Sequence, residues 1–213
     1  MHLRQSTSLA VWNAMKEYYD TRAPEYDEWY LGLGRFTERD RPGWLGAVEQ
    51  LKQAIAALPP AKTLDVACGT GFLTRHIRGS VTGLDQSAQM IEIASKRIPE
   101  AAFVEADAIP LPFDDSSFDR VFTGHFYGHL DSAERAAFVA EAHRVAPELI
   151  VVDSAVRPDH DREEIQERIL NDGSAFEVYK RYFDGAELAD ELGGGTIVHE
   201  SQWFVMVATG PTL

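Results

Sequence analysis

Apolar and polar positions follow two rhythms along this chain. Short, mostly apolar runs of four to seven residues recur near 62–67, 80–85, 102–105, 118–124 and 149–153. They are bounded by Gly, Pro, Asp or Ser, and their length suits strands. Between them lie segments with apolar positions three and four apart. These predict helices near 10–20, 43–57, 71–78 and 87–96, the second stopped by Pro59-Pro60. A further helix is predicted over Ala133 to Val145, with Phe138, Ala142 and Val145 on one face. The unbroken run Leu149-Ile150-Val151-Val152 suits a strand buried on both faces. Strands alternating with helices predict an α/β fold with a parallel sheet covered on both sides. Beyond residue 156 the rhythm changes. Residues 157–192 read as charge-rich helices, broken at Asn171-Asp172-Gly173-Ser174 and ended by Gly193-Gly194-Gly195. Two close strands follow, near 196–200 and 203–209. The expected organisation is a single domain over 1–213, with a leading segment over 1–42 and a helical insertion over 156–194.

The chemistry begins where the first run ends. Leu64-Asp65-Val66-Ala67-Cys68-Gly69-Thr70-Gly71 passes from apolar residues into a small-residue turn and then into Phe72-Leu73-Thr74-Arg75-His76-Ile77. A strand, a glycine turn and a helix let a ligand approach bare backbone. Sixteen residues after Gly69, the run Val81-Thr82-Gly83-Leu84 ends in Asp85-Gln86-Ser87. A carboxylate at that strand end can accept both hydroxyls of a ribose. Ser87 is the better helix N-cap, which leaves Asp85 free for a ligand. The third run ends at Ala106-Asp107-Ala108, and Leu111-Pro112-Phe113 leads through Phe118-Asp119 into the fourth.

This ordered combination resembles the class I S-adenosylmethionine-dependent methyltransferases, in particular the bacterial small-molecule group related to the ubiquinone and menaquinone methyltransferases. The resemblance covers roughly residues 18 to 209. It implies a Rossmann-like, seven-stranded, mostly parallel sheet whose last strand is antiparallel, with helices on both faces and an N-terminal helical lid. It implies S-adenosyl-L-methionine as methyl donor and S-adenosyl-L-homocysteine as product. Ala67, Gly69 and Gly71 look like the donor loop, Asp85 and Gln86 like the ribose edge. Met90, Asp107 and Ala108 look like the adenine contacts. Thr123 and Gly124 border the methionine end. Tyr18-Tyr19-Asp20 through Tyr26-Asp27-Glu28-Trp29-Tyr30 looks like the lid, with Tyr18, Tyr26 and Tyr30 as aromatic contacts for a cationic sulfonium.

His125-Phe126-Tyr127-Gly128-His129 follows the fourth strand, at the edge where open α/β sheets place ligands. His125, Tyr127 and His129 are candidates for acceptor contact or proton transfer, a histidine near neutral pKa being suited to a general base. Phe176 to Phe183 could form the opposite wall or pack Val178 and Tyr182 on the core.

Charge and composition narrow the acceptor. The chain has 20 basic and 34 acidic residues, a net charge of −14, and no basic run. A polyanion would be repelled overall, so nucleic acid is not expected, while the resemblance implies a small-molecule acceptor. The single cysteine, Cys68, allows no internal disulfide and fits a reducing cytoplasm. No apolar segment approaches membrane-spanning length, and no leader-like apolar stretch is present. His76, His143, His160 and His199 lack the spacing of a zinc site, so no metal is expected. Three other readings stay open, one of them a protein methyltransferase. A nicotinamide-dependent oxidoreductase would want a third glycine where Thr74 stands. A non-catalytic, donor-binding interaction protein would keep the same loop. Neither the accepting atom nor the oligomeric state is legible.

Overall fold

The computed structural model describes residues 15–210. Residues 15–22 are helical and form α1, so the start of the helix expected near 10–20 lies outside the described residues. A 3-10 turn (Ala23–Glu25), α2 (Glu28–Leu31), a second 3-10 turn (Gly34–Phe36) and α3 (Trp44–Ala57) follow. The alternating part comprises β1 (Ala61–Val66), β2 (Gly79–Asp85), α4 (Ala88–Arg97), β3 (Ala102–Glu105), β4 (Arg120–Gly124), α5 (Ser132–Val145) and β5 (Glu148–Ser154). The C-terminal part holds β6 (Glu163–Ile169), β7 (Ala175–Arg181), α6 (Gly185–Glu191), β8 (Thr196–Glu200) and β9 (Phe204–Thr209).

Seven strands form one sheet in the order β3-β2-β1-β4-β5-β9-β8. The first five are parallel, and β9 runs antiparallel between β5 and β8. This is the expected Rossmann-like sheet. Period-two alternation divides β5 between two layers. Leu149 and Val151 meet Phe138, Ala142 and Leu188 of α5 and α6. Ile150 and Val152 meet Trp44, Leu51 and Ile55 of α3 on the other face. Burial of β5 is complete from Glu148 to Ser154, which explains its unbroken apolar run. Asp131 caps α5 in a reciprocal box with Glu134, and Ser87 caps α4 by accepting from the Met90 amide at 3.2 Å.

Two expectations fail. Residues 71–78 hold no α-helix, only a 3-10 turn at Thr74–His76. The chain must return along a six-residue strand in the twelve residues between Val66 and Gly79. At about 1.5 Å rise per residue an α-helix would need more chain than that, whereas a 3-10 turn and extended residues cover the distance. The helical insertion over 156–194 is the second failure. Its central part is an antiparallel hairpin of β6 and β7, separate from the main sheet, and only Gly185–Glu191 is helical. Along β6 the half-buried positions are Glu164, Gln166 and Arg168, while Ile165 and Ile169 are exposed. The alternation is that of a strand, but with polar residues inward, so hydrophobicity could not reveal it.

Candidate functional site

The carboxyl ends of β1, β2 and β4 converge on one cleft, as the order reversal between β1 and β4 dictates for a doubly wound sheet. Its floor is backbone. Gly69 takes φ +55°, and a Cβ there would stand 3.5 Å from the Tyr26 ring. Ala67 after β1 and His125 after β4 also take left-handed φ, 56° and 59°. Such conformations are costly for residues with a side chain, and here two stand at the ends of neighbouring strands in the same cleft.

Asp85 lies beside them, 7% exposed. One carboxylate oxygen accepts from the Gly69 amide at 2.9 Å, the other from the Ser87 amide at 2.9 Å. Burial pushes its pKa up to about 6 against those two stabilising amides. Gln86, Met90 and Ala108 complete this wall, with Leu84 and Ala106, which the sequence had not singled out. Gly124, His125, Phe126 and His129 close the β4 side, and Met15, Tyr19 and Tyr26 form the cover.

The remaining expected residues lie elsewhere. Gly71 turns its Cα toward α4, where a Cβ would meet Ile98 at 3.2 Å and Ala94 at 3.4 Å, so its role is helix packing. The Thr123 hydroxyl donates to the Val66 carbonyl at 2.9 Å and braces the two strands. Asp107 is exposed between Ala106 and Ala108 and lines no part of the cleft. Tyr30 is 2% exposed and stacks on Phe72 at 4.1 Å between centroids. Tyr127 is 1% exposed, bonds to Glu191 at 3.1 Å and packs beside Phe138 and Phe183. The 3-10 turn at 127–129 therefore sends Tyr127 into the core and His129 to the site.

A second cavity, about 820 Å³, opens beyond the cleft. Tyr19, Tyr26, His125 and His129 line both. Tyr18, Arg22 and Trp29 contribute to it from the leading segment, and Arg168, Lys180 and Tyr182 from the hairpin. Tyr18 belongs to this cavity and not to the cleft. The Phe176 to Phe183 segment does form an opposite wall, through Lys180 and Tyr182.

Both histidines are held neutral. Burial drives His125 down to about 3 despite Asp153, whose Oδ1 is 3.9 Å from Nδ1, with Lys180, Arg168 and Arg22 adding to the effect. Its ring sits against Trp29 and Phe204, and neither nitrogen has a hydrogen-bond partner among the described residues. Burial also lowers His129, again with Lys180 and Arg168. Its Nδ1 bonds the Tyr179 carbonyl at 2.7 Å, so Nδ1 carries the proton and Nε2 keeps its lone pair.

The cover is fastened to the glycine loop by a network that no local motif announced. Asp27 accepts from the Thr70 hydroxyl at 2.6 Å and from Arg97 at 2.5 Å. Arg97 also donates to the Thr70 carbonyl at 2.9 Å. Ser87 donates to Asp20 at 2.6 Å.

Residues 64–148 match the methyltransferase domain family. The chain is 35% identical over 134 residues to a demethylmenaquinone methyltransferase of Thermotoga maritima, covering 60% of this chain and 54% of that protein. It is 31% identical over 149 residues to a 2-phytyl-1,4-naphtoquinone methyltransferase of a Nostoc species, covering 62% and 60%. The chain thus spans little more than half the length of these curated relatives. Among solved structures, the DhpI-SAM-HEP complex superposes with a TM-score of 0.72 at 26% identity, over 93% of this chain and 97% of that one. The expected resemblance to S-adenosylmethionine-dependent methyltransferases holds: residues 64–148 match the methyltransferase domain family, and the fold is shared with DhpI over 93% of the chain.

Proposed function

We propose that this chain binds S-adenosyl-L-methionine in the cleft and transfers its methyl group to a small molecule in the adjoining cavity. The observation that carries the reading is the shared boundary, where Tyr19, Tyr26, His125 and His129 line both spaces. The cleft residues fit the donor. Gly69 leaves room that a side chain would take, and Asp85 keeps a lone pair on each oxygen for ribose hydroxyls after serving the Gly69 and Ser87 amides. Met90, Ala106 and Ala108 offer an apolar slot for a planar base. Tyr19 and Tyr26 present aromatic rings to a cation.

The donor supplies a methyl group activated on a sulfonium sulfur. The protein supplies alignment and exclusion of water, which can account for most of the acceleration in such a transfer. Residues 18–41 and the β6-β7 hairpin close the reaction space from two sides. His125 and His129 enter as neutral groups that shape and orient. A pKa near 3 makes His125 a weak proton acceptor at neutral pH. The relatives' names point to naphthoquinone-type acceptors for those proteins. For this chain the acceptor is taken as a small molecule, and a net charge of −14 disfavours nucleic acid. Among the described residues no helix is long and apolar enough to cross a membrane. We place the protein in a reducing cytoplasm, in keeping with its one cysteine, which is buried, and treat the chain as one catalytic unit.

Calorimetry tests the reading. S-adenosylhomocysteine should bind the full chain, and NADH should not. NADH binding without S-adenosylhomocysteine binding overturns it. Hydrogen exchange adds a test of the cover: amides of residues 15–30 should exchange more slowly with S-adenosylhomocysteine bound. Unchanged exchange would make that segment a fixed wall.

A further inference from the structure

The charge of the outer cavity is opposite to that of the chain. Overall, 34 acidic residues outnumber 20 basic ones. Around the cavity, seven Arg and Lys side chains face four carboxylates. Lys180 is neutralised by Asp153, and Arg157 by Asp159. Among the described residues, no carboxylate lies within 4.0 Å of the guanidinium of Arg22, Arg39, Arg41 or Arg168. Two of the cavity's four acids are turned to other partners, and the other two, Asp40 and Glu167, are exposed. Glu164 accepts from Tyr182 and Gln166, and Glu25 from the Asn171 amide.

The unneutralised cations converge. Arg22 and Arg168 come from elements 146 residues apart, yet both donate to the Tyr18 hydroxyl, at 2.5 and 3.1 Å. A single phenolic oxygen thus receives two guanidinium groups at the cavity wall. Arg22 is only 7% exposed, so its charge acts where solvent screens it little. Arg39 and Arg41 reach the same space from the loop before α3, Arg41 lying 4.0 Å over the Trp44 ring. Like charge is felt between these groups. Burial lowers Arg39 first, and the charges of Arg168 and Arg22 lower it further. Burial and then Arg39 bring Arg41 down to about 10. Burial and the same cations keep His125 and His129 uncharged. Clustering positive charge without counter-charges disfavours the empty protein and is offset when an anion enters.

From this cluster we propose that the methyl acceptor carries an anionic oxygen head group, a carboxylate or a phosphate-type oxyanion, bound by Arg22, Arg39 and Arg168 in the outer cavity. The proposal rests on the methyltransferase reading and narrows its substrate class. Guanidinium forks match the planar and tetrahedral oxyanions equally in kind, by paired N–H donors. A long apolar tail, by contrast, would have to displace water from these charges without replacing their hydrogen bonds.

The test uses the full chain and three probes. S-adenosylhomocysteine is titrated first, by calorimetry, into wild type and into Arg39→Gln and Arg168→Gln. It should bind all three within about threefold, since neither arginine lines the cleft. With that ligand saturating, inorganic phosphate and acetate are titrated, and 2-methyl-1,4-naphthoquinone serves as the neutral probe. At least one anion should bind wild type in the millimolar range or tighter, and bind each variant at least tenfold more weakly. Phosphate above acetate identifies a tetrahedral, doubly charged head, and the reverse a carboxylate. Anion binding that is absent, or equal in wild type and both variants, overturns the proposal, as does naphthoquinone binding that neither anion displaces. Arg39 lies outside any helix or strand and its side chain makes no hydrogen bond or ion pair among the described residues, so Arg39→Gln leaves the fold intact if the more buried Arg168→Gln does not. Failure of S-adenosylhomocysteine to bind wild type would instead strike the methyltransferase reading itself.

Discussion

The inner cleft and the outer cavity are built from different materials. The cleft is made of main chain and small side chains at the ends of β1, β2 and β4, within one alternating stretch of chain. The cavity is lined by charged and aromatic side chains, mostly from the leading segment and the β6-β7 hairpin, which lie far apart in sequence. In the proposed reading the cleft would position a ligand by shape and by Asp85, which two backbone amides hold in place. The cavity would position one by charge. A fold that accepts many substrates can keep the first constant and vary the second, because loops at the carboxyl edge carry function while strands carry structure.

The sharpest way to break this division is at the cleft floor. Gly69→Val puts a branched side chain at φ +55°, facing Tyr26. Strain of about 1–3 kcal/mol adds to the lost space. Donor affinity should fall roughly 100-fold or more, while anion binding in the cavity stays near wild type. An equal loss at both sites would mean that the two spaces are one.

Asp85→Asn comes next. It keeps an acceptor for a backbone amide but removes the charge, and should weaken S-adenosylhomocysteine by about 1–3 kcal/mol. In wild type, affinity should fall as pH drops through about 6, where the buried carboxyl takes up a proton. The variant should lack that inflection. Calorimetry between pH 5 and 8 separates the cases, and a shared inflection would move the effect to another group.

Asp65 probes stability beneath the cleft. It is buried, accepts from the Thr74 hydroxyl at 2.6 Å, and burial raises its pKa to about 7. The folded state therefore holds a proton that the unfolded chain has released above about pH 4. Stability contributed by this group is full at low pH and falls as pH rises toward 7. Asp65→Asn cannot ionise, so its Tm relative to wild type should be higher at pH 8 than at pH 5. The gain should be at least about 2–4 °C, the shift that 1 kcal/mol makes in a domain of this size. Melting curves at the two pH values suffice, and a pH-independent difference would refute the assignment.

The smallest effect concerns the boundary residues. Because His125 titrates near 3 and His129 well below its ordinary value, kcat should show no histidine inflection between pH 5 and 8. His129→Ala should cost less than about 100-fold in kcat. A loss of 10³-fold or more, with an inflection that disappears in the variant, would restore His129 as a general base.

Much of the cleft could be read from the chain because its parts are local. Gly69, Asp85, Gln86, Met90 and Ala108 stand at strand ends whose spacing is set by β1, β2 and β3, and the structure assembles them together. Gly71, Thr123, Tyr30 and Tyr127 carry the right residue types in the right stretch, yet their side chains face helix packing, a strand brace or the core. Which way a side chain turns out of a loop depends on neighbours far away in sequence.

The outer cavity shows the limit more fully. Apolar periodicity by itself determined the order of strands and helices up to β5, except at 71–78, where a 3-10 turn replaces the expected helix, since burying a sheet on both faces demands that pattern. It also determined the turn and the acid that flank the cleft. Tertiary structure alone decided that residues 163–181 are a hairpin, because along its first strand, β6, the inward positions are Glu164, Gln166 and Arg168 and the outward ones include Ile165 and Ile169. It alone brought Arg22 and Arg168 to one hydroxyl across 146 residues. The rule that apolar residues mark the inside holds where the inside is a dry core. It fails where the inside is a polar binding space, and there only the folded chain reveals which charges stand together.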